Sequence, residues 1–333
     1  APLLCMSYRF KGSIIQTITR LGLAVLTVAG TTSAMVQSRF TLYGRVNTTV
    51  ERQKVGDVST TGLFNNSSRF GFKGTEDLGG GLKAGFQLES GFNSDTGAAA
   101  STFFGRQSEV NLSGNFGMVR LGNFFAESYY ATADYVSLHN HDTGSSSDAL
   151  YAYVMQNANK VAYRTPSFGG FTVEGAVGLH EQTVGGKNAY DLAANYAAGP
   201  LALGAGYSKQ GDVNQVGLRA LYTVGAFTVG GYYQRDKNAY VLNGGSRDNI
   251  RLVGAYNMGA SEFHVNDGRA GEYKNVNDSD ATQFTLGYNY NLSKRTKVYG
   301  YYTKVNNSSN AGYMTGANGV DFSSVAVGVR HNF

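Results

Sequence analysis

The chain has 333 residues, with 45 Gly, 23 Tyr and 19 Phe against only 3 Pro, a strand-and-turn composition poor in helix formers. Basic residues outnumber acidic ones 28 to 23. Three of the basic ones, Arg9, Lys11 and Arg20, precede residue 36, where there is no acid, so the remaining body is nearly neutral and offers no nucleic-acid footprint. Mean hydropathy is -0.25, which excludes a helical membrane protein but suits a barrel with a wet lumen, since half of each strand is then polar.

In chain order, the first element is a leader. Arg9, Lys11 and Arg20 supply a positive region, Leu21 to Ala29 an apolar stretch, and Thr32-Ser33-Ala34 a small-residue cleavage site. About nine apolar residues are too few to cross roughly 30 Å of hydrocarbon. Residues 1–34 are therefore expected to be a signal peptide that is removed, and residues 35–333 a single barrel domain. The one cysteine, Cys5, falls in the leader, so the body has no disulfide and no thiol chemistry.

After the leader no run approaches 18 apolar residues, and short alternating segments recur instead. Leu42 and Val46 oppose Tyr43, Arg45 and Asn47. Val216, Leu218, Ala220 and Tyr222 oppose Gln215 and Arg219. Phe284, Leu286, Tyr288, Tyr290 and Leu292 oppose Gln283, Thr285, Asn289 and Asn291. Sixteen candidate strands begin near residues 38, 67, 79, 102, 116, 157, 169, 188, 200, 213, 225, 246, 259, 279, 293 and 320. Short connections such as Glu76-Asp77-Leu78, Gly114-Asn115 and Gly199-Pro200 alternate with long ones, predicted at Arg52 to Asn66, Asp236 to Ser246, Asn266 to Asp278 and Val305 to Gly319. Short turns at one rim and long loops at the other is the pattern of a bacterial outer-membrane barrel.

One connection stands apart. From Asn123 to about Gln156 the chain has no steady alternation. A loop of this length in a compact protein is usually functional, and as the third long loop it is expected to fold into the wide lumen. The last strand places Val325, Val327, Val329 and Phe333 on one face and Ala326, Gly328, Arg330 and Asn332 on the other. So apolar an edge is a liability in water; paired with the first strand it closes a barrel whose apolar face meets lipid. The architecture predicted is all-β: a 16-stranded antiparallel transmembrane barrel with its long third loop folded into the lumen.

At this point the sequence resembles the general diffusion porins of the β-proteobacterial, Neisseria-like outer-membrane family. The likeness rests on Thr41-Leu42-Tyr43-Gly44, Ser68-Arg69-Phe70-Gly71-Phe72-Lys73-Gly74-Thr75-Glu76-Asp77-Leu78-Gly79, Gly114-Asn115-Phe116-Gly117, Tyr163 with Thr165-Pro166-Ser167-Phe168-Gly169-Gly170-Phe171, Asn291-Leu292-Ser293-Lys294-Arg295-Thr296, and the terminal strand. The resemblance implies a homotrimer in the bacterial outer membrane, in contact with its lipid, passing ions and small hydrophilic solutes. It also implies delivery by the barrel-assembly machinery through the C-terminal strand, with Phe333 as the assembly signal.

The resemblance further implies an arginine wall facing acids on the third loop. Arg69 sits in the matching Ser-Arg-Phe-Gly stretch, Arg106 precedes Gln107-Ser108, and Arg45 follows Tyr43-Gly44. On the loop, Glu127, Asp134, Asp142 and Asp148 are the acid candidates. Gln156 and Asn123 stand where that family carries basic residues, so the wall is thinner here. Period two sets Arg106 on the face of Val110 and Leu112, which predicts that these apolar residues face inward with it.

Such a pore works passively, with a transverse field between Arg and carboxylates ordering water and favouring polar solutes. The alternative is a channel selective for one solute class, a sugar or an anion, with Tyr129, Tyr130, Tyr135, Tyr151 and Tyr153 as an aromatic slide. A barrel enzyme is the remaining alternative: Ser145, Ser146 and Ser147 lie near His139-Asn140-His141-Asp142, but no nucleophile elbow or paired base accompanies them. The histidine pair lacks a third ligand at metal spacing. The expectation is no catalytic residue, no metal and no cofactor. Tyr288, Tyr290, Tyr299, Tyr301, Phe322 and Phe333 are expected in the interfacial aromatic girdles.

Overall fold

Along Ala281–Asn291, Gln283, Thr285 and Asn289 are buried while Phe284, Leu286, Tyr288 and Tyr290 are exposed. The same inversion runs along Val213–Val224, where Gln215 and Arg219 are buried and Val216, Leu218 and Tyr222 exposed. A sheet with apolar side chains outside and polar ones inside belongs in lipid, and there it can leave no edge. The computed structural model describes residues 39–134, 144–154 and 156–333. The expected signal peptide, Tyr135 and the stretch His139 to Asp142 lie outside the described residues.

Seventeen strand segments follow in order: β1 (Arg39–Val55), β2 (Val58–Asn65), β3 (Arg69–Gly79), β4 (Leu82–Gly91), β5 (Gln107–Gly114), β6 (Gly117–Asn123), β7 (Lys160–Arg164), β8 (Phe171–Gly178), β9 (Ala189–Ala198), β10 (Leu201–Gln210), β11 (Val213–Val224), β12 (Phe227–Lys237), β13 (Ser246–Met258), β14 (Ser261–Ala270), β15 (Ala281–Asn291), β16 (Thr296–Asn307) and β17 (Phe322–Asn332). Segments β2 and β3 are one strand. Both pair antiparallel with β1, on Thr48 to Val55 and on Arg39 to Arg45, and they are separated by a kink where Ser67 has φ 59°. The result is a closed sixteen-stranded antiparallel barrel. Its seam is β1 against β17, in register from Arg45 opposite Asn332 to Val55 opposite Phe322.

Three expectations are corrected here. Residues 52–66 are not a long loop: β1 and β2 run on to a tight turn at Gly56-Asp57, because Val58 to Asn65 keeps pairing with β1. The strand expected near residue 102 starts at Gln107, after a loop with its own bridge between Phe92 and Ala99. Tyr299, Tyr301 and Phe322 are not girdle residues. All three are about 4% exposed and face inward, with the Tyr299 hydroxyl donating to Asn47 Oδ1 at 2.6 Å and that of Tyr301 to Glu51 Oε1 at 2.8 Å. Tyr288 and Tyr290 do face outward.

At the seam, Gly44 and Phe333 exchange both backbone hydrogen bonds at 3.1 Å. A Cβ on Gly44 would meet Phe333 Cζ at 2.3 Å and the Arg69 carbonyl oxygen at 2.7 Å, so the Phe333 ring occupies the space a side chain would need. Gly44→Val is therefore expected to cost about 1–3 kcal/mol. Its urea unfolding midpoint, followed by the gel mobility of the folded barrel, should fall; an unchanged midpoint would show that this contact does not support closure.

Candidate functional site

The third loop, residues 124–159, enters the barrel and is fastened to the wall along both of its described legs. The outgoing leg forms a helical turn (Glu127–Tyr129) and a π turn (Tyr130–Asp134) lying on β9, β10 and β11. The Ser128 N–H donates to Asp191 Oδ1 at 3.1 Å, and its hydroxyl contacts Ser208 at 2.7 Å. Between these contacts, three inward positions of the wall carry no side chain. A Cβ on Gly204 would stand 1.9 Å from the Ala131 carbonyl oxygen, one on Gly206 2.8 Å from Ser128 Cβ, and one on Gly217 3.0 Å from Thr132 Cγ2. These glycines let the loop backbone rest directly on the strands.

The returning leg is sewn down by side chains that imitate a neighbouring strand. Gln283 accepts from the Ala149 N–H at 2.9 Å and donates to the Ser147 carbonyl at 2.8 Å. Gln234 accepts from the Ala152 N–H at 2.8 Å and donates to its carbonyl at 3.0 Å. Asp148 forms a buried ion pair with Arg251 at 2.7 Å and accepts from the Tyr232 hydroxyl at 2.6 Å. The Leu150 carbonyl takes hydrogen bonds from Arg247 at 2.6 Å and Asn249 at 2.8 Å. Nearer β1, the Ser145 hydroxyl donates to Glu51 at 2.8 Å. Tyr129, Tyr130, Tyr151 and Tyr153 pack tilted or edge-on against one another or Phe125, around a fully buried Tyr151.

Arg45 and Arg69 are register neighbours on β1 and β3, with inward-facing side chains. Arg45 donates to Asn332 Oδ1 at 3.2 Å, and Arg69 lies 3.8 Å from Glu89. Arg106 pairs with the same carboxylate at 2.6 Å and sits 5.9 Å from the centre of the Phe125 ring of the loop. The predicted inward turn of Val110 and Leu112 does not occur. Both are exposed on the outer face, while Glu109 and Asn111 turn in. Arg106 precedes β5, so strand periodicity never governed it. Sequence reasoning missed Arg330 and Lys297, register partners on β17 and β16 that continue the row toward Arg45. The signal was available, because alternation in the terminal strand places Arg330 with Ala326 and Gly328, opposite the valines.

The loop acids are distributed differently. Glu127 is bound by Arg164 and, at 3.1 Å, by Asn195, on the wall of β7 and β9. Burial raises its carboxyl to about 7, with Arg164 opposing the shift and Glu174 adding to it. Asp134 lies at the end of the π turn, close enough to Tyr130 to help burial raise that hydroxyl above its usual range. Asp148 faces Arg251, and Asp142 lies outside the described residues. Behind the loop runs an alternating ladder. Glu109 meets Arg120 at 2.6 Å, Arg120 meets Glu174 at 3.2 Å, Glu174 meets Arg164 at 2.8 Å, and Arg164 meets Glu127. Gln156, in the place of an expected arginine, bonds the Ala158 and Leu179 carbonyls at 2.9 and 3.0 Å.

Residues 22–311 match the family described as Gram-negative porin. Outer membrane porin protein 32 of Delftia acidovorans is 34% identical over 359 residues, covering 94% of this chain and 99% of that protein. Major outer membrane protein P.IB of Neisseria meningitidis serogroup A is 28% identical, covering 96% and 99%. Among solved structures, the anion-selective porin from Comamonas acidovorans superposes with a TM-score of 0.75 at 30% identity, covering 89% of this chain and 100% of that one.

The glycine floor makes a specific demand on the loop. Gly204→Val is expected to push Ala131 toward the lumen, at a cost of about 1–3 kcal/mol, and so to lower single-channel conductance. Conductance equal to that of the wild type would show that these glycines do not seat the loop.

Proposed function

We propose that this chain, which belongs to the Gram-negative porin family, is an outer-membrane channel for passive diffusion of ions and small hydrophilic solutes, with a preference for anions. The observation that carries the preference is the inward row Lys297, Arg330, Arg45, Arg69 and Arg106, which crosses the closing seam. Arginine suits the role because it stays charged at any physiological pH. The five cations of this row meet two carboxylates, Glu89 and Glu262, whereas the ladder from Glu109 to Glu127 sets three acids against two arginines, so the excess positive charge lies on the side of the row. The aromatic residues of the loop pack tilted and edge-on against one another, which favours a general channel over a sugar slide. Read this way, the protein is a channel rather than an enzyme.

The family also supports a homotrimer. The outer face of β1 and β3 carries a stacked Phe40–Phe72 pair and an edge-on Phe70–Phe72 pair, a flat apolar surface suited to a neighbouring copy. Phe333, with its ring over Gly44, is proposed as the signal read by the assembly machinery.

Reversal potentials across planar bilayers under a salt gradient test the row. Arg69→Gln, Arg106→Gln and Arg330→Gln should each shift selectivity toward cations, with conductance steps arriving in threes; variants that keep the wild-type potential would remove the row from the selectivity mechanism. Glu127 supplies an independent handle. Its acid is raised, so as pH falls through about 7 it takes up a proton, and anion preference should increase. Glu127→Gln should erase that step.

A further inference from the structure

At the long-loop rim, three connections come together beside the returning leg of the third loop: 238–245 between β12 and β13, 271–280 between β14 and β15, and 308–321 between β16 and β17. Arg247 ties them to one another and to that leg. Its guanidinium meets Asp236 at 2.7 Å and the Leu150 carbonyl at 2.6 Å, and it also donates to the Tyr313 hydroxyl. The rings of Tyr240, Tyr273 and Tyr313 surround it, with centres 5.1, 5.2 and 5.3 Å away. The Tyr240 hydroxyl reaches the Tyr151 carbonyl of the third loop. Beside this knot the three connections enclose a pocket of about 380 Å³, with Ala149 of the third loop in its lining.

The pocket is held in shape by its own hydrogen bonds. Asn307 accepts from the Tyr313 N–H at 3.0 Å and donates to the Tyr313 and Val320 carbonyls at 3.0 and 2.7 Å, which pins the connection between β16 and β17. The Gly316 N–H closes a turn on the Gly312 carbonyl at 2.9 Å. Inside that turn Met314 is kept at φ 66° with 40% of its surface open. A long apolar side chain in the left-handed region is strained, and strain retained at an exposed site points to a use. Tyr240 is 47% exposed, and its ring stands edge-on to that of Tyr313, 5.8 Å away at 89°, so the two form perpendicular walls. Amides border them. Asn310 donates to the Asn277 carbonyl at 3.0 Å, which leaves its side-chain oxygen to accept, and the Asn318 amide is exposed.

We propose that this pocket binds one ring of a neutral saccharide, with a C–H face of the sugar against Tyr240 and its hydroxyls on Asn310 and Asn318. Charge selects the class. Among the described residues, the lining has no ionisable side chain apart from tyrosines, and the charge of Arg247 is buried behind the rings and matched by Asp236. A phosphate or carboxylate would find no free cation there. The negative face of an aromatic ring suits the C–H side of a pyranose, and a few placed amides on an aromatic wall favour a polyol ring over an apolar one. This is a single fixed station at the mouth, and it stands whether or not the lumen prefers anions.

Saturation-transfer NMR on the purified full-length barrel, in a detergent whose headgroup is not a sugar, tests this with methyl α-glucopyranoside and sorbitol as probes. Sorbitol carries the same kind of hydroxyls without a ring, so it reports on contact with the lumen alone. The glucoside should receive saturation at its C–H protons, and sorbitol little. Asn318→Ala should weaken glucoside binding about fivefold through the loss of one hydrogen bond, and Tyr240→Leu should abolish it. Conductance measured on the same preparations without sugar tests the channel separately, so the failure of either reading leaves the other standing. Equal transfer to both probes, or undiminished glucoside binding in Asn318→Ala and Tyr240→Leu alike, would overturn the inference. So would indole binding more tightly than the glucoside at the same residues, for the pocket would then take an apolar ring.

Discussion

Hydrocarbon offers no partner to a backbone N–H or carbonyl, and from this one constraint most of the molecule follows. Every strand must be paired on both sides, so β17 must return to β1, and the register of that seam fixes which residues face lipid and which face the lumen. Exchange of hydrogen bonds between Gly44 and Phe333 carries the pairing to the last residue of the chain. The inward polar residues are not a concession. They are what remains when alternate positions have been given to lipid, and they make the wall on which the third loop can be fastened.

That fastening is a different solution to the same problem. A loop inside a barrel has backbone groups to satisfy and no sheet to join, so Gln234 and Gln283 supply amides where a neighbouring strand would have supplied its own. Asp148 and Arg251, taken out of solvent together, lock the turn between them, and each alone would leave a buried charge without a counterpart. On the other leg the wall makes room by withholding side chains at Gly204, Gly206 and Gly217.

Alternation made the barrel legible. Val325, Val327 and Val329 announced an outward face, the spacing of turns announced sixteen strands, and the stretch after Asn123 announced a third loop of its own kind. Where period two stops, so did the reading. Arg106 lies one residue before β5, so period two does not carry from it to Val110 and Leu112, which face outward. Tyr299 and Tyr301 look like girdle residues by composition, but Asn47 and Glu51 on β1, two strands away across β17, give their hydroxyls inward partners that no local pattern records. The length of β2 was hidden for a related reason: Ser59, Thr60 and Thr61 look like a loop, and only the pairing with β1 makes them strand.

The contrast between the two kinds of contact in the lumen separates gauge from tuning. The loop is held by buried amides and by one desolvated ion pair, which dissolved salt hardly reaches. The arginine row borders the water through which solutes travel, where a Debye length of about 10 Å at 0.1 M shortens as salt rises. Brackish and dilute surroundings would therefore meet the same aperture with a different electrical character. A bacterium carrying this barrel would have a sieve whose mesh is constant and whose charge filter relaxes as the medium grows saltier.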